Sequence, residues 1–172
     1  MSGKLRPFKY SLPAVLIAMA VTHLLFLADG SQTAGQSKRY IPVTKYDPKR
    51  NAAEDIQEAI KEAQPSNKRI LLEVGGEWCS WCHPFDRFFE ANPNLLILRD
   101  KNFVTVKINF SEENENKEVL SRYDAIPGYP HIFVLDSDGK FLLSQNTSVL
   151  ESGKSYDLER LTAFLTKWAP SR

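Results

Sequence analysis

The chain contains 172 residues with a formal net charge of +1, and 42% of its residues are apolar and 25% charged. These values are typical of a globular protein with a real core, and the length allows one domain of ordinary size plus an N-terminal appendage. A charge so close to balance argues against a nucleic-acid-binding protein.

The first 30 residues differ in kind from the rest. Three basic residues precede Leu12–Ala28, an apolar run interrupted only by Pro13, Thr22 and His23. This order is typical of an export signal, although the run is long for a signal peptide and short for a membrane-spanning helix. Residues 1–30 are therefore predicted to be a signal peptide or an N-terminal membrane anchor, with a buried core helix as the alternative. Either export segment predicts a periplasmic domain, soluble or tethered to the inner membrane.

A linker and then a folded domain are predicted to follow. Residues 31–50 combine small and polar residues with little apolar periodicity, which is typical of a flexible tether, although an early strand around Tyr40–Tyr46 is weakly indicated. Asn51 followed by Glu54 resembles a capping box at the start of an amphipathic helix. We predict that the domain spans residues 51–170.

Both cysteines of the chain lie directly after a short apolar run. Ile70–Val74 is predicted to be a buried strand, and a segment with helical patterning follows Cys82. At a helix start, backbone N–H groups and the helix dipole stabilise a thiolate on Cys79. Cys82 lies about one helical turn further on, close enough to form a disulfide with it. This arrangement predicts a redox-active pair.

The rest of the chain alternates between the two element types. An acidic segment at Glu112–Glu118 is predicted to be a turn and helix start, and Asp136–Gly139 a tight turn between two strands of a hairpin. The other predicted elements are three strands, at Phe103–Phe110, His131–Leu135 and Phe141–Ser144, and a last helix from about Ser155 that stops before Pro170. This order predicts an α/β fold of three layers, with a central mixed sheet flanked by helices.

The segment Glu77-Trp-Cys-Ser-Trp-Cys82 after an apolar strand resembles the active-site segment of the thioredoxin superfamily, and the likeness extends from about Asn51 to Trp168. It implies the thioredoxin fold and an exported thiol–disulfide oxidoreductase that reduces, oxidises or exchanges disulfides in other proteins. Cys79 would attack the substrate disulfide, and Cys82 would resolve the mixed disulfide. The Cys79–Cys82 disulfide would need no further cofactor, but a separate redox partner would have to reset it.

The resemblance also assigns roles to residues away from the cysteines. In the family, the strand position of Glu73 holds a buried acid that helps to move the proton of the resolving thiol. Most members have Asp there, so the longer Glu is a departure. Lys107 falls in the strand where many members keep a lysine near this acid. Pro130 matches the cis-proline that lies against the cysteine pair, and Pro127 is a less well-placed rival.

Four residues are predicted to contact substrates. Trp78 and Trp81 flank Cys79 and could form an apolar docking surface, with Trp81 expected to face partners and Trp78 to pack. Tyr129 and His131 flank the predicted cis-proline and are candidate specificity residues.

Two residues after Cys82 are expected to modify the helix start. His83, when charged, would stabilise a nearby thiolate. Pro84 is a departure from the family pattern, and we expect it to remove one backbone hydrogen bond and loosen the helix start.

Three other functions remain open from the sequence. Cys79-Ser-Trp-Cys82-His83 also matches the attachment signal of c-type haem, with His131 or His23 as the distal ligand. Cys79, Cys82, His83 and His131 have the right number and type of ligands for zinc. The third alternative is a binding module that keeps the fold without turnover, although the intact cysteine pair argues against it.

Overall fold

The computed structural model describes residues 40–171. The predicted signal peptide or anchor and residues 31–39 of the predicted linker lie outside the described residues. Within residues 40–171, no helix has the length and apolarity needed to cross a membrane.

A mixed four-stranded sheet with the order β2-β1-β3-β4 forms the centre of the described domain. Strand β1 pairs in parallel with β2 and antiparallel with β3, and β3 forms a hairpin with β4. The elements are α1 Ala52–Ser66, β1 Arg69–Gly75, α2 Cys82–Ala91, α3 Pro93–Asn102, β2 Phe103–Asn109, α4 Lys117–Leu120, β3 His131–Leu135, β4 Phe141–Asn146, a 3₁₀ helix Thr147–Leu150, β5 Glu151–Ser152, β6 Ser155–Tyr156 and α5 Leu158–Lys167. The predicted mixed sheet flanked by helices is confirmed.

Side chains alternate along β1 between two apolar layers. Ile70, Leu72 and Val74 belong to a core cluster shared with α1, whereas Leu71 belongs to a second cluster shared with α2, α3 and α5. Because a central strand is covered on both faces, its side chains are buried whichever way they point. Glu73 is therefore buried as well, on the face of Leu71.

The first helix begins as its sequence predicts. The Asn51 side chain accepts hydrogen bonds from the backbone N–H groups of Ala53 and Glu54 and donates one to the Glu54 carboxylate. Asn67 ends the helix in the left-handed conformation, with a φ of 49°. Pro65 lies inside the last turn.

The segment after the cysteines contains two helices where the sequence analysis predicted one. Helix α2 ends at Ala91, and α3 starts at Pro93, which occupies its first position. Proline suits that position because its ring fixes a helical φ and no backbone donor is needed there.

The last helix starts later than predicted. Ser155–Tyr156 pairs with Glu151–Ser152 in a small hairpin rather than opening the helix. Asp157 then caps α5, because its carboxylate accepts a hydrogen bond from the Arg160 N–H at 2.9 Å.

Residues 40–50, which belong to the predicted linker, pack along the edge of the sheet. Val43 forms a parallel bridge with Val106, and its carbonyl accepts a hydrogen bond from the Lys107 N–H at 3.1 Å. Both Val43 and Tyr46 are buried. This segment therefore brings Tyr46 to the end of β1, next to the cysteines.

Candidate active site

Cys79 and Cys82 form a disulfide at the start of α2, with their Cα atoms 5.3 Å apart. Cys82 is the first residue of the helix, and its backbone N–H donates to the Cys79 sulfur at 3.1 Å. This donor lies at the positive end of the helix, so it would stabilise a thiolate on Cys79 once the disulfide is reduced. Both cysteines are almost fully buried, at 2% and 0% exposure.

Pro84 does not disturb this helix start, so the prediction of a lost hydrogen bond is wrong. The first backbone hydrogen bond of α2 runs from the Phe85 N–H to the Trp81 carbonyl at 3.1 Å. Pro84 lies before it, in the turn whose N–H groups have no acceptor within a helix. The missing donor therefore costs the helix nothing.

Gly75, the last residue of β1, allows the resolving cysteine to approach the sheet. A Cβ atom on Gly75 would lie 2.5 Å from Cys82 Sγ and 3.0 Å from the hydroxyl oxygen of Tyr46. Real Cβ atoms are not found that close to a sulfur, so the site requires glycine. Cys82 Sγ and the Tyr46 hydroxyl oxygen are thus both neighbours of the Gly75 backbone.

A polar network that is buried except at Asp86 continues from Tyr46. Glu73 is 2% exposed, and its Oε1 accepts hydrogen bonds from the Tyr46 hydroxyl at 2.5 Å and from Lys107 Nζ at 3.1 Å. Lys107 Nζ also donates to both carboxylate oxygens of Asp86, at 2.5 and 2.7 Å. Glu73 and Lys107 are register partners on β1 and β2, while Asp86 comes from α2. We call Tyr46, Glu73, Asp86 and Lys107 the inner network.

The charges of the inner network stabilise one another. Burial lowers the pKa of Lys107, but the nearby charges of Glu73 and Asp86 and the hydrogen bonds to them outweigh burial and raise the pKa above its ordinary value. Burial, followed by the charge of Glu73 and the hydrogen bond to it, raises the pKa of Tyr46 well above its ordinary value. Lys107 Nζ lies 4.3 Å from the centre of the Tyr46 ring, a cation–π contact. Lys107 is therefore a cation and Tyr46 a neutral phenol.

The peptide bond between Tyr129 and Pro130 is cis, as the resemblance implies. The Pro130 carbonyl accepts a hydrogen bond from the Thr147 hydroxyl at 2.5 Å, which ties the proline to the segment after β4. The Tyr129 ring packs against the cysteine cluster.

The two tryptophans lie in different surroundings. Trp78 is 57% exposed, meets the Tyr129 ring edge-on at 5.4 Å, and donates from Nε1 to the Phe110 carbonyl at 2.6 Å. Trp81 is partly buried and meets the Tyr156 ring edge-on at 5.8 Å. We expected Trp81 to be the more exposed of the two and Trp78 to pack, but Trp78 is the more exposed side chain. We call Trp78 and Tyr129 the outer aromatic face.

The two histidines near the site do not converge on the cysteines. His131 is 1% exposed, and its Nε2 lies 2.8 Å from the Ser144 hydroxyl, while Nδ1 has no hydrogen-bond partner among the described residues. Burial lowers the pKa of His131 to about 4. His83 is partly exposed, with Nε2 2.9 Å from the Glu77 carbonyl. Residues 40–171 contain no group of three or more His, Cys, Asp or Glu side chains that could hold a metal ion.

An open cleft of about 640 Å³ lies beside Trp78. Its apolar lining comes from four residues, Tyr46, Pro48, Trp78 and Phe110. Its acidic lining comes from another four, Glu77, Glu112, Glu113 and Glu115. The cleft thus has Trp78 of the outer aromatic face and four carboxylates in its lining.

Comparison with known protein families identifies the same fold and the same cysteine segment. The model of the thioredoxin-like family matches residues 51–137, which is half of the chain. The chain belongs to the thioredoxin-like family. It is also 25% identical to the thiol:disulfide interchange protein DsbD of Pseudomonas fluorescens over 120 residues, which are 69% of this chain and 19% of that protein. The curated relatives that it matches are aligned over only 8% to 19% of their length.

Solved structures show the same thioredoxin-like fold. A disulphide isomerase from Xylella fastidiosa superposes with a TM-score of 0.60 at 23% identity, over 74% of this chain and 98% of that one. The C-terminal domain of Neisseria meningitidis DsbD in its oxidised form superposes with a TM-score of 0.50 at 18% identity, over 69% of this chain and 93% of that one. The family membership and fold favour a redox pair over haem attachment for Cys79 and Cys82.

Sequence reasoning missed four residues that shape the site. Asp86 follows Cys82 by four residues on a helix, so the i,i+4 spacing could have placed both on one face. Gly75 carried a usable signal, since glycine at the end of a strand often marks a close approach. Tyr46 and Thr147 carried none, because each reaches the site through a contact distant in sequence.

Proposed function

We propose that this thioredoxin-like protein exchanges thiols and disulfides with other proteins outside the cytoplasm, using Cys79 and Cys82. The observation that carries the proposal is the hydrogen bond from the Cys82 N–H to the Cys79 sulfur at the start of α2. A backbone donor aimed at this sulfur makes Cys79 the better thiolate of the two.

The reaction runs in two exchange steps. The Cys79 thiolate attacks a sulfur of the substrate disulfide, forms a mixed disulfide and releases one substrate thiolate. Cys82 then loses its proton and attacks Cys79, which forms the Cys79–Cys82 disulfide and releases the second substrate thiolate. Run in reverse, the same steps oxidise a dithiol. A separate redox partner must reset the pair after each turnover.

Substrates would approach over the outer aromatic face. Trp78 is the large exposed apolar side chain next to Cys79, and Tyr129 precedes the cis-proline. Aromatic side chains are favoured at protein interfaces because they bury a large area at little conformational cost. The carboxylates that line the adjoining cleft favour substrate segments with basic residues.

Trapping of the mixed disulfide tests the exchange function. Cys82→Ala in the full chain is expected to accumulate mixed disulfides on Cys79 in an extract, because the resolving thiol is absent. Cys79→Ala is the matched control and should trap none. Equal trapping by the two variants, or none by either, would contradict the proposal. The equilibrium of the parent pair with glutathione then gives the direction of electron flow.

The proposed location rests on residues 1–30 of the sequence, where basic residues precede an apolar run. A reporter that is active only after export, fused behind Trp168, should be active. A matched reporter that works only in the cytoplasm should be silent. N-terminal sequencing of the mature protein would separate a cleaved signal from a retained anchor. The full chain in the soluble cytoplasmic fraction would contradict export.

A further inference from the structure

Tyr46 lies between the cysteine pair and the buried carboxylate of Glu73. Its ring belongs to the buried cluster of Cys79 and Cys82, and its hydroxyl donates to Glu73 Oε1 at 2.5 Å. Tyr46 is outside the region that the family model matches, since that region begins at residue 51. It reaches the site because residues 40–50 pack along β2.

The hydroxyl oxygen of Tyr46 and Cys82 Sγ both adjoin the backbone of Gly75. Both atoms lie around the point that a Cβ atom of Gly75 would occupy, at 3.0 and 2.5 Å respectively. A phenolic oxygen can accept a hydrogen bond while its proton is donated elsewhere. The Tyr46 proton is donated to Glu73, so the oxygen keeps lone pairs for a thiol.

Oε1 of the Glu73 carboxylate is already occupied. Oε1 accepts hydrogen bonds from both Tyr46 and Lys107, and Lys107 is held in turn by Asp86. The Tyr46 phenol is therefore the hydrogen-bond partner of Glu73 that also adjoins Gly75 beside Cys82 Sγ.

We propose that the Tyr46 hydroxyl relays the proton of Cys82 to the Glu73 carboxylate during resolution of the mixed disulfide. This inference rests on the proposed thiol–disulfide exchange and adds a residue to it. Because the phenol gains one proton as it gives up another, Tyr46 is neutral before and after the step.

The S–H bond of Cys82 breaks as its proton passes to the Tyr46 oxygen, and the former Tyr46 proton passes to Glu73. The Cys82 sulfur then uses its electron pair to bond to Cys79 Sγ, and the bond from Cys79 to the substrate sulfur breaks. The substrate leaves as a thiolate, and Glu73 holds the proton until it returns to solvent or product. No outside oxidant or reductant is needed.

Burial and the charges around Tyr46 support this role. Burial, the charge of Glu73 and the hydrogen bond to it raise the pKa of Tyr46 well above its ordinary value, and Asp86 and Tyr156 add smaller contributions in the same direction. Tyr46 therefore cannot act as a base that keeps the proton, but it can pass a proton on. Lys107, beside the ring, is held as a cation by Glu73 and Asp86 and has no lone pair to offer.

The two exchange steps can be separated with an aromatic disulfide. When the reduced full chain is mixed with dithiobis-nitrobenzoate, attack by Cys79 releases a first thionitrobenzoate and attack by Cys82 a second. For Tyr46→Phe, which keeps the ring and removes the hydroxyl, we expect the second release near pH 7 to slow by about 100-fold, the lower end of general acid–base catalysis. The first release should stay within about twofold of the parent, since the relay has no part in it.

The pH profile distinguishes a relay from a purely structural role. In Tyr46→Phe the second release should become proportional to hydroxide concentration over a wider pH range, because Cys82 must lose its proton to water. Tyr156→Phe is the matched control, because it removes a buried phenol that donates to the Trp81 carbonyl at 3.2 Å. This control should keep the parent profile. A second release in Tyr46→Phe with the parent rate and profile would overturn the relay.

A measurement on the parent protein covers the case of a variant that does not fold. In mixtures of light and heavy water, a relay that moves two protons gives a curved dependence of the second rate on deuterium fraction, whereas direct transfer of one proton gives a straight line. A straight line overturns the relay and leaves the exchange function intact. A parent protein that releases no thionitrobenzoate at all overturns the proposed function itself.

Discussion

The cysteine pair adjoins two regions of opposite character. On one side, the inner network is charged and joined by hydrogen bonds, and all of its members except the partly exposed Asp86 are buried. On the other, the outer aromatic face is uncharged, and Trp78 is more than half exposed. The difference suggests a division of labour, in which one region handles protons and the other contacts partners. Changes to the inner network should therefore alter stability and proton transfer, and changes to the outer face should alter recognition.

The largest expected effect is on the inner network. Lys107→Met removes the cation between Glu73 and Asp86 and leaves the buried carboxylate of Glu73 without the cation that pairs with it. Removal of one partner of a buried ion pair is expected to lower the free energy of unfolding by about 3–5 kcal/mol. Urea denaturation of the oxidised protein near neutral pH measures the change.

Lys117→Met is the matched control for this prediction. Lys117 pairs with Glu115 at 2.7 Å, but its side chain is 79% exposed. Solvent screens such a pair, so the control should be as stable as the parent. An equal loss in both variants would show that burial of the inner network has no special role in stability.

The next effect concerns His131, whose pKa is lowered because burial outweighs the opposing effect of the Asp124 charge. Because its folded pKa is about 4 against 6.5 in the unfolded chain, the unfolded state binds more protons between these values. The free energy of unfolding is therefore unaffected by the titration of His131 above pH 6.5. It falls by about 3 kcal/mol as the pH drops from 6.5 to about 4, because the unfolded chain takes up a proton that the folded protein does not.

His131→Gln should flatten the dependence of the unfolding free energy on pH over this interval. Glutamine can still form a hydrogen bond with Ser144 but does not titrate. Ser144→Ala is the control, because it removes the hydrogen-bond partner and leaves the titrating ring. If Ser144→Ala flattens the curve as much as His131→Gln does, the acid sensitivity does not come from the charge on the histidine.

A smaller loss of stability is expected where the inner network meets the cysteines. Gly75→Ala places a methyl group 2.5 Å from Cys82 Sγ and 3.0 Å from the Tyr46 ring. Overpacking of this kind costs about 1–3 kcal/mol, because the backbone or the sulfur must move. Gly128→Ala is the control, since a Cβ there meets no described heavy atom within 4 Å. Thermal or urea denaturation should separate the two variants clearly.

The smallest effect belongs to the outer aromatic face. Trp78→Ala should weaken the transition state for protein disulfides by about 1 kcal/mol, which is about a fivefold loss in kcat/KM. Reduction of a small disulfide should not change, because it has no surface to contact Trp78. Ile97→Ala removes another exposed apolar side chain, at 62% exposure on α3, and should affect neither reaction. Equal losses for large and small disulfides would place Trp78 in the chemistry instead.

The sequence predicted the parts of the fold that depend on neighbouring residues. The strands at Ile70 and His131, the hairpin turn at Asp136–Gly139 and the helix after the cysteines all have local patterns, and the structure confirms them. Helix α3 was missed because Leu95–Leu98 is a continuous apolar run, which shows no helical face. The start of α5 was misplaced because the pairing of Ser155–Tyr156 depends on residues before the turn.

In the site, too, the residues of the motif were predictable and the contacts between distant residues were not. The cysteines, the cis peptide bond before Pro130 and the burial of Glu73 followed from the motif and the family resemblance. The hydrogen bond between Tyr46 and Glu73 joins residues 27 positions apart, in a segment without periodicity, so no local pattern announced it. The reversed exposure of Trp78 and Trp81 depends on the ring of Tyr156, which is also distant in sequence.

The packing of residues 40–50 along β2 also matters for the choice of a minimal folding unit. A fragment cut at Asn51 would retain every residue that the family model matches, and it would still contain both cysteines. It would nevertheless lose the ring that covers Lys107 and the hydroxyl that donates to Glu73, and water would enter behind the disulfide. The packed structure of this chain therefore begins before the recognised family region, and fragments for biochemical work should retain Tyr40 and all residues after it.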